Sequence, residues 1–157
     1  MRLTTLCFLR DGDKILLALK KRGFGAGKWN GAGGKVQEGE TVSQSLIREI
    51  KEEIAVELEE KDLKKCAELS FHFRDDPTWD QLCHVFFISK WQGNPAETEE
   101  MKPEWFSVSD IPYEKMWTDD IHWLPKVLAG KQIKAVFHFT GKGESFDEYK
   151  IEEVSDF

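Results

Sequence analysis

The chain reads as an α+β domain with a mixed sheet and few helices. Short β-type runs and two helical stretches interleave without a regular βαβ repeat. Its 157 residues suit one domain, and folding at this length buries roughly two-thirds of the surface that the unfolded chain exposes. A makeup of 40% hydrophobic and 32% charged residues, with a mean hydropathy of -0.50, excludes a disordered tail, a collagen-like repeat and a disulfide-rich miniprotein. No internal repeat or low-complexity segment interrupts it, so residues 1–157 are read as a single domain.

Residues 2–10 and 14–20 are apolar β-type runs around Asp11-Gly12-Asp13, which carries hairpin turn chemistry. Between Lys20 and Lys35 lie Gly23, Gly25, Gly27, Gly31, Gly33 and Gly34, too many for a regular element and enough to let backbone approach a ligand closely. Residues 41–55 form a helix: Thr41 is the N-cap, Gln44 completes a capping box, and Val42, Leu46, Ile47, Ile50 and Ile54 make one apolar stripe. Residues 68–74 alternate and 81–91 form a longer apolar run, two strands parted by Asp75-Asp76-Pro77. A short strand at 105–108, a helix at 119–129, and a closing hairpin of 132–140 with 146–154 about Gly141-Lys142-Gly143 complete the chain.

With 29 acids against 22 bases the net charge is -7, so a phosphate-bearing partner has to be held by local cations or metal ions, and binding to a nucleic-acid polymer is disfavoured. No apolar run approaches bilayer length and residues 1–10 lack the pattern of a secretory leader, which points to the cytoplasm and away from a membrane. Cys7, Cys66 and Cys83 are an odd, widely spaced set and read as reduced packing thiols. His72, His84, His122 and His138 lack ligand spacing and read as structural or surface groups.

The chemistry lies on the first helix. At about 100° per residue, with Glu49 at zero, Glu52 and Glu53 fall at roughly 300° and 40°, beside an apolar stripe at about 60° to 160°. Like charges three and four residues apart are unfavourable, and Arg48 is the one nearby cation on that side. A divalent metal resolves the conflict. Oxygen ligands without His or Cys suit Mg²⁺, or Mn²⁺, and such ions bind substrate phosphates.

From Gly34 the chain reads Gly-x5-Glu40-x7-Arg48-Glu49-Ile50-x-Glu52-Glu53-x-Ala55-Val56, which resembles the Nudix box, G-x5-E-x7-R-E-U-x-E-E-x-G-U, at eight of nine specified positions. The departure is Ala55 in place of Gly, at a helix C-terminus where Gly eases a left-handed turn. The resemblance implies a Nudix hydrolase: a mixed sheet sandwiched between helices, cleaving nucleoside diphosphate derivatives with divalent metal. It makes Glu49, Glu52 and Glu53 metal ligands, with the carbonyl of Gly33 or Gly34 as a further one. Arg48 then orients a glutamate, and Glu40 caps or tethers the loop-helix junction.

Residues 20–31, 33–41 and 116–120, with Glu100-Met101, Pro103 and Trp105-Phe106, are further similar to the vertebrate-type MutT homologues of that family. These hydrolyse oxidised purine nucleoside triphosphates such as 8-oxo-dGTP and 2-hydroxy-dATP to the monophosphate and pyrophosphate. The resemblance implies a pocket of Thr5, Lys20, Phe24, Asn30, Phe71, Trp117, Asp119 and Asp120, a further metal-site acid at Glu100, and a monomeric enzyme acting on a small nucleotide. Residues 75–82 align poorly with the subfamily, and Thr118 replaces its Pro. Taken alone, Asp119-Asp120 also suits a helix N-terminus, Trp117 and Phe24 suit a core, and Lys20-Lys21-Arg22 suits a solvated charge run. The rival readings are Nudix chemistry on a methylated purine nucleotide, a dinucleoside polyphosphate or a capped RNA end, and a catalytically silent nucleotide-binding module.

Overall fold

The structure, a computed structural model, describes residues 1–157. Strands β1 (Arg2–Asp11) and β2 (Lys14–Lys20) meet in the expected hairpin, with Gly12 at φ +59° in its turn. They pair through only two rungs, Arg10 with Ile15 and Asp11 with Lys14. Beyond that point β2 leaves β1 to pair with β3 (Trp29–Asn30) and, along its whole length, with β6 (Met101–Ser107).

On its other side β1 pairs in parallel with β5 (Gln81–Ile88). The order continues through β4 (Lys64–Phe73), antiparallel to β5, then β7 (Gln132–Thr140), parallel to β4, and ends at β8 (Ser145–Val154), antiparallel to β7. Mixed pairing and two helices, α1 (Val42–Ile54) and α2 (Asp120–Leu128), make the class α+β as expected. One core, with Phe8, Ile15, Leu69 and Phe137, takes in Trp123, Leu124 and Val127 of α2; a second, with Cys7, Leu9 and Ile88, takes in Leu46, Ile50 and Ile54 of α1. Each apolar stripe therefore finds a sheet surface, which is what stabilises helices this short. No helix is long and apolar enough to cross a membrane.

Several boundaries differ from the sequence reading. β4 starts at Lys64 rather than 68, because its first residues are lysines that mask the alternation. β5 stops at Ile88, and Trp91 turns out of the sheet to pack against Trp105 at 5.9 Å. β6 begins at Met101 and passes through Pro103, which a strand tolerates where only one neighbour needs its hydrogen bonds; β6 pairs with β2 alone. The two residues of β3 give no periodic signal at all. All three cysteines are free and buried, and burial pushes the Cys66 and Cys83 thiols up to about 12, as packing thiols require.

Candidate active site

The glycine-rich segment positions the site. After β3 the chain runs back along β1, with bonds from Thr5 N to Gly34 O at 2.8 Å and from Cys7 N to Ala32 O at 2.7 Å. So close a path needs glycine: a Cβ at Gly33 would sit 2.0 Å from the Thr5 carbonyl oxygen, and one at Gly34 2.5 Å from the Glu49 carboxyl carbon. The Thr5 hydroxyl bonds Gly34 as well, which fixes the loop over the N-terminal half of β1.

Helix α1 starts with the predicted capping box: Gln44 N donates to Thr41 Oγ1 at 3.1 Å and Thr41 N to Gln44 Oε1 at 2.9 Å. It ends at Ala55 with φ 61° and ψ 31°, the left-handed exit. Arg48 lies between these ends as a hub. Its Nε and Nη2 grip both oxygens of Glu40 at 2.8 and 2.9 Å, and its Nη1 reaches Glu49 Oε1 at 2.9 Å and Glu52 Oε2 at 3.3 Å. Glu40 is therefore the tether of the loop to the helix, and Arg48 holds its carboxyl below the usual range.

Glu53 is buried, and its Oε2 has no hydrogen-bond partner. Burial first, then the charge of Glu49 and a hydrogen bond with it, push Glu53 up to about 8, against the pull of the Gly33 amide and Lys20. The structure thus brings Glu49 and Glu53 together at the Gly33-Gly34 turn. It does not bring Glu52 or Glu100 to them: Glu52 is 59% exposed and pairs with Arg48, and Glu100 accepts from Arg22 Nη2 at 2.5 Å. As the side chains stand, no three His, Cys, Asp or Glu groups are arranged to hold a metal ion. The Glu49–Glu53 pair by itself fits one, since a buried carboxylate oxygen without a donor beside a second carboxylate is a hard, anionic oxygen site.

Alongside this acidic pair lies a cleft of about 380 Å³ lined by Thr5, Lys20, Phe24, Asn30, Gly33, Gly34, Phe71, Trp117, Asp119 and Asp120, so it gathers every pocket residue that the sequence singled out. Asp119 and Asp120 are buried at its floor. Asp119 opens α2 without capping it; its Oδ2 accepts from Trp123 Nε1 at 2.8 Å. Asp120 Oδ2 has no partner. Burial pushes Asp119 up to about 6, and burial together with the charge of Asp119 raises Asp120 well above the usual carboxylate range, so both carboxyls are biased toward their protonated forms. Asn30 Oδ1 accepts from Gly31 N at 2.8 Å, which leaves its amide NH₂ to donate.

Lys20 joins the two parts: it lines the cleft, and its charge acts on both Glu53 and Glu100. Lys21 and Arg22 do not enter the site; they pair with Glu97, Glu99 and Glu100. Phe24 and Trp117 belong to neither hydrophobic core and pack on each other at 5.2 Å. None of the four histidines lines the cleft. Sequence reasoning missed Trp123, whose spacing of four from Asp119 on a helix was a usable signal, and also missed Arg2, Thr4, Trp79 and Gln81, which line the cleft too and for which there was none.

A model of the NUDIX domain matches residues 1–127. Over 155 residues, 99% of this chain and 97% of the relative, the sequence is 41% identical to an oxidized purine nucleoside triphosphate hydrolase of Danio rerio. It is 40% identical to the protein of the same name from Mus musculus, over 99% of this chain and 97% of that one. Among solved structures, a MutT protein from Bacillus halodurans superposes with a TM-score of 0.84 at 22% identity, covering 97% of this chain and 98% of its own, a likeness of fold.

Proposed function

The chain belongs to the Nudix family, and from that premise we propose that it hydrolyses oxidised purine nucleoside triphosphates such as 8-oxo-dGTP and 2-hydroxy-dATP to the monophosphate and pyrophosphate. One observation carries the reading: a base-sized cleft lined by Asn30, Asp119 and Asp120 also takes in Lys20, Gly33 and Gly34, the groups that lie by the Glu49–Glu53 pair. The vertebrate relatives named for this activity, matched end to end, support it.

Each residue has a physical task. Asn30 donates to the base, while the two carboxyls share protons and present a donor or an acceptor as the base demands, so one floor reads two oxidised purines. Lys20 meets the phosphates, supplying the local cation that a chain of net charge -7 needs. Glu49 and Glu53, with the Gly33 carbonyl, Glu52 and Glu100, are the residues that would hold Mg²⁺, or Mn²⁺ as substitute. When bound, that ion neutralises phosphate charge and lowers the pKa of water for in-line attack at phosphorus. Arg48 keeps the Glu49 carboxylate aimed, and Glu53, whose proton the ion would displace, would serve as an anionic ligand beside it. The enzyme acts as a cytoplasmic monomer on a small nucleotide.

The test is to incubate the protein and Mg²⁺ separately with 8-oxo-dGTP, 2-hydroxy-dATP, dGTP and dATP, following monophosphate and pyrophosphate by chromatography. Preference for an oxidised purine is expected. Glu53→Gln then lowers turnover at least about a hundredfold in a folded protein, and Asn30→Ala lowers the ratio of oxidised to normal dGTP cleaved. Cleavage without preference would remove the substrate assignment, and near-normal turnover of Glu53→Gln would remove the metal site.

A further inference from the structure

Two glycine turns, far apart in the chain, close on the Trp117 ring. A Cβ at Gly25 would lie 3.0 Å from Trp117 Cζ2, and one at Gly143 would lie 2.8 Å from Cζ3 of the same ring. Both glycines have positive φ, +86° and +98°, so neither place takes another residue without strain. Lys28 Nζ lies over the indole at 5.3 Å, and Phe24 meets it at 5.2 Å and 36°. Trp117 nevertheless lines the cleft, together with Gly25, Phe73 and Phe139.

The turn that carries Gly143 joins β7 to β8 and is anchored from outside. Gly143 is buried, whereas Gly141, Lys142 and Glu144 around it are exposed. Gly143 N donates to Thr140 O at 3.2 Å, and Gly141 N donates to Asp75 Oδ2 at 2.6 Å. Arg74 N donates to Phe139 O at 3.0 Å, and the Arg74 guanidinium pairs with Asp147 and Glu148 on β8. A hairpin turn reverses the chain with local bonds alone, so the bonds to Arg74 and Asp75 fix where the turn lies. That place is against Trp117. Asp120 N in turn donates to Trp117 O at 3.1 Å, which ties the residue to the start of α2 and to the two buried carboxyls there. A side chain at 143 meets a rigid ring at less than contact distance, and a close-packed site passes such a displacement on.

We propose that Gly143 is a positioning residue for nucleotide binding: with Gly25 it fixes the Trp117 indole, which makes the β7–β8 turn a part of the substrate site. The turn lies beyond residues 1–127, the part that the family model matches. The proposal rests on the activity proposed above for the same cleft. It deepens that reading by naming what holds the wall beside Asp119 and Asp120.

The experiment is a double-mutant cycle of wild type, Gly143→Ala, Trp117→Phe and the pair. Each is assayed on 8-oxo-dGTP and 2-hydroxy-dATP with Mg²⁺, and calorimetry gives Kd for the same nucleotides without metal. With Trp117 in place, Gly143→Ala raises KM and Kd about tenfold and changes kcat less than about threefold. In Trp117→Phe, which lacks the ring edge that the new methyl meets, it raises them less than about threefold. Backbone strain at φ +98° is the same in both backgrounds, so an equal rise in both overturns the proposal, and so does no rise in either. The indole N–H resonance of Trp117, assigned by its loss in Trp117→Phe, shifts in Gly143→Ala; a resonance that stays in place also overturns it. If wild type leaves both triphosphates intact, the proposed activity fails by itself, and binding still judges Gly143. Binding weakened by Gly143→Ala only where Trp117 is present then supports it, and equal binding or none overturns it. Should Gly143→Ala not fold, Asp75→Ala decides the same point, because it frees the turn without adding an atom to it. A rise of about threefold or more in Kd with a moved resonance supports the proposal, and either one unchanged overturns it.

Discussion

Ala55 is the single non-glycine residue with positive φ, and it occupies the position where the Nudix pattern has glycine. At φ 61° and ψ 31° its Cβ crowds the following carbonyl, a conformation that costs an L-residue about 1–2 kcal/mol. Its surroundings hold it there. Ala55 N donates to Lys51 O at 3.1 Å, Ala96 N to Ile54 O at 2.9 Å and Thr98 Oγ1 to Glu53 O at 2.8 Å, and a two-bond bridge joins Glu57 to Gln92 just beyond. The last turn of α1 cannot relax into another exit without losing these bonds.

Ala55→Gly removes the crowding and keeps the exit. Glycine gives back part of the gain through its freer unfolded chain, so the net stabilisation is about 0.5–1 kcal/mol. For a domain of this size that raises the melting temperature by about 2–3 °C. The assay is thermal and urea unfolding of wild type, Ala55→Gly and Ala55→Val, with turnover measured in parallel. Ala55→Val must move the opposite way, since a β-branched residue fits the left-handed region worst. Turnover of Ala55→Gly stays within about twofold, because the helix end and Glu53 keep their places. A melting temperature that is unchanged or lower in Ala55→Gly would refute the claim that this exit is strained.

The hub and the caps give three more tests. Arg48→Lys keeps the charge but loses the two-pronged grip on Glu40 and the bond to Glu49, and turnover falls about 10- to 100-fold with melting little changed. Thr41→Ala breaks the capping box and costs about 1 kcal/mol, read as a drop of about 3 °C in melting temperature. Asp119 is raised from 3.8 to about 6, so the fold favours its protonated form: the stability that this gives is present below pH 4 and is lost as pH rises through about 6. Melting of Asp119→Asn measured against wild type from pH 4 to 7 therefore shows the wild type losing ground across that window, and parallel curves would contradict the assignment.

Much of this was legible because it is local. The capping box, the left-handed exit and the hairpin turns depend on residues within four positions of each other, and each appears where its residues place it. The cleft was legible for a different reason: Thr5, Lys20, Asn30, Phe71 and Asp119 are far apart in the chain, and only the resemblance joined them. What stayed hidden depends on neighbours that no period encodes. The strand at Met101 passes through a proline because its outer edge is free, and Trp79 sits in a turn whose orientation is fixed by Asp76, Asp80 and Gln81.

The helix projection set three carboxylates on one face, yet the structure divides them, and the division follows from where the positive charge lies. Glu52 and Glu53 project about 100° apart, so one side chain of α1 turns to solvent and the other to the sheet. Arg48 reaches Glu40, Glu49 and the solvent-facing Glu52, and no cation forms an ion pair with Glu53. Burial, with the charge of Glu49 beside it, therefore makes Glu53 hold its proton up to about 8. A buried carboxyl that no cation pairs, beside the Gly33 turn with Lys20 as its nearest help, is where a divalent ion that displaces the proton gains most. Sequence spacing gave the membership of that cluster; the partners of Arg48 give its centre.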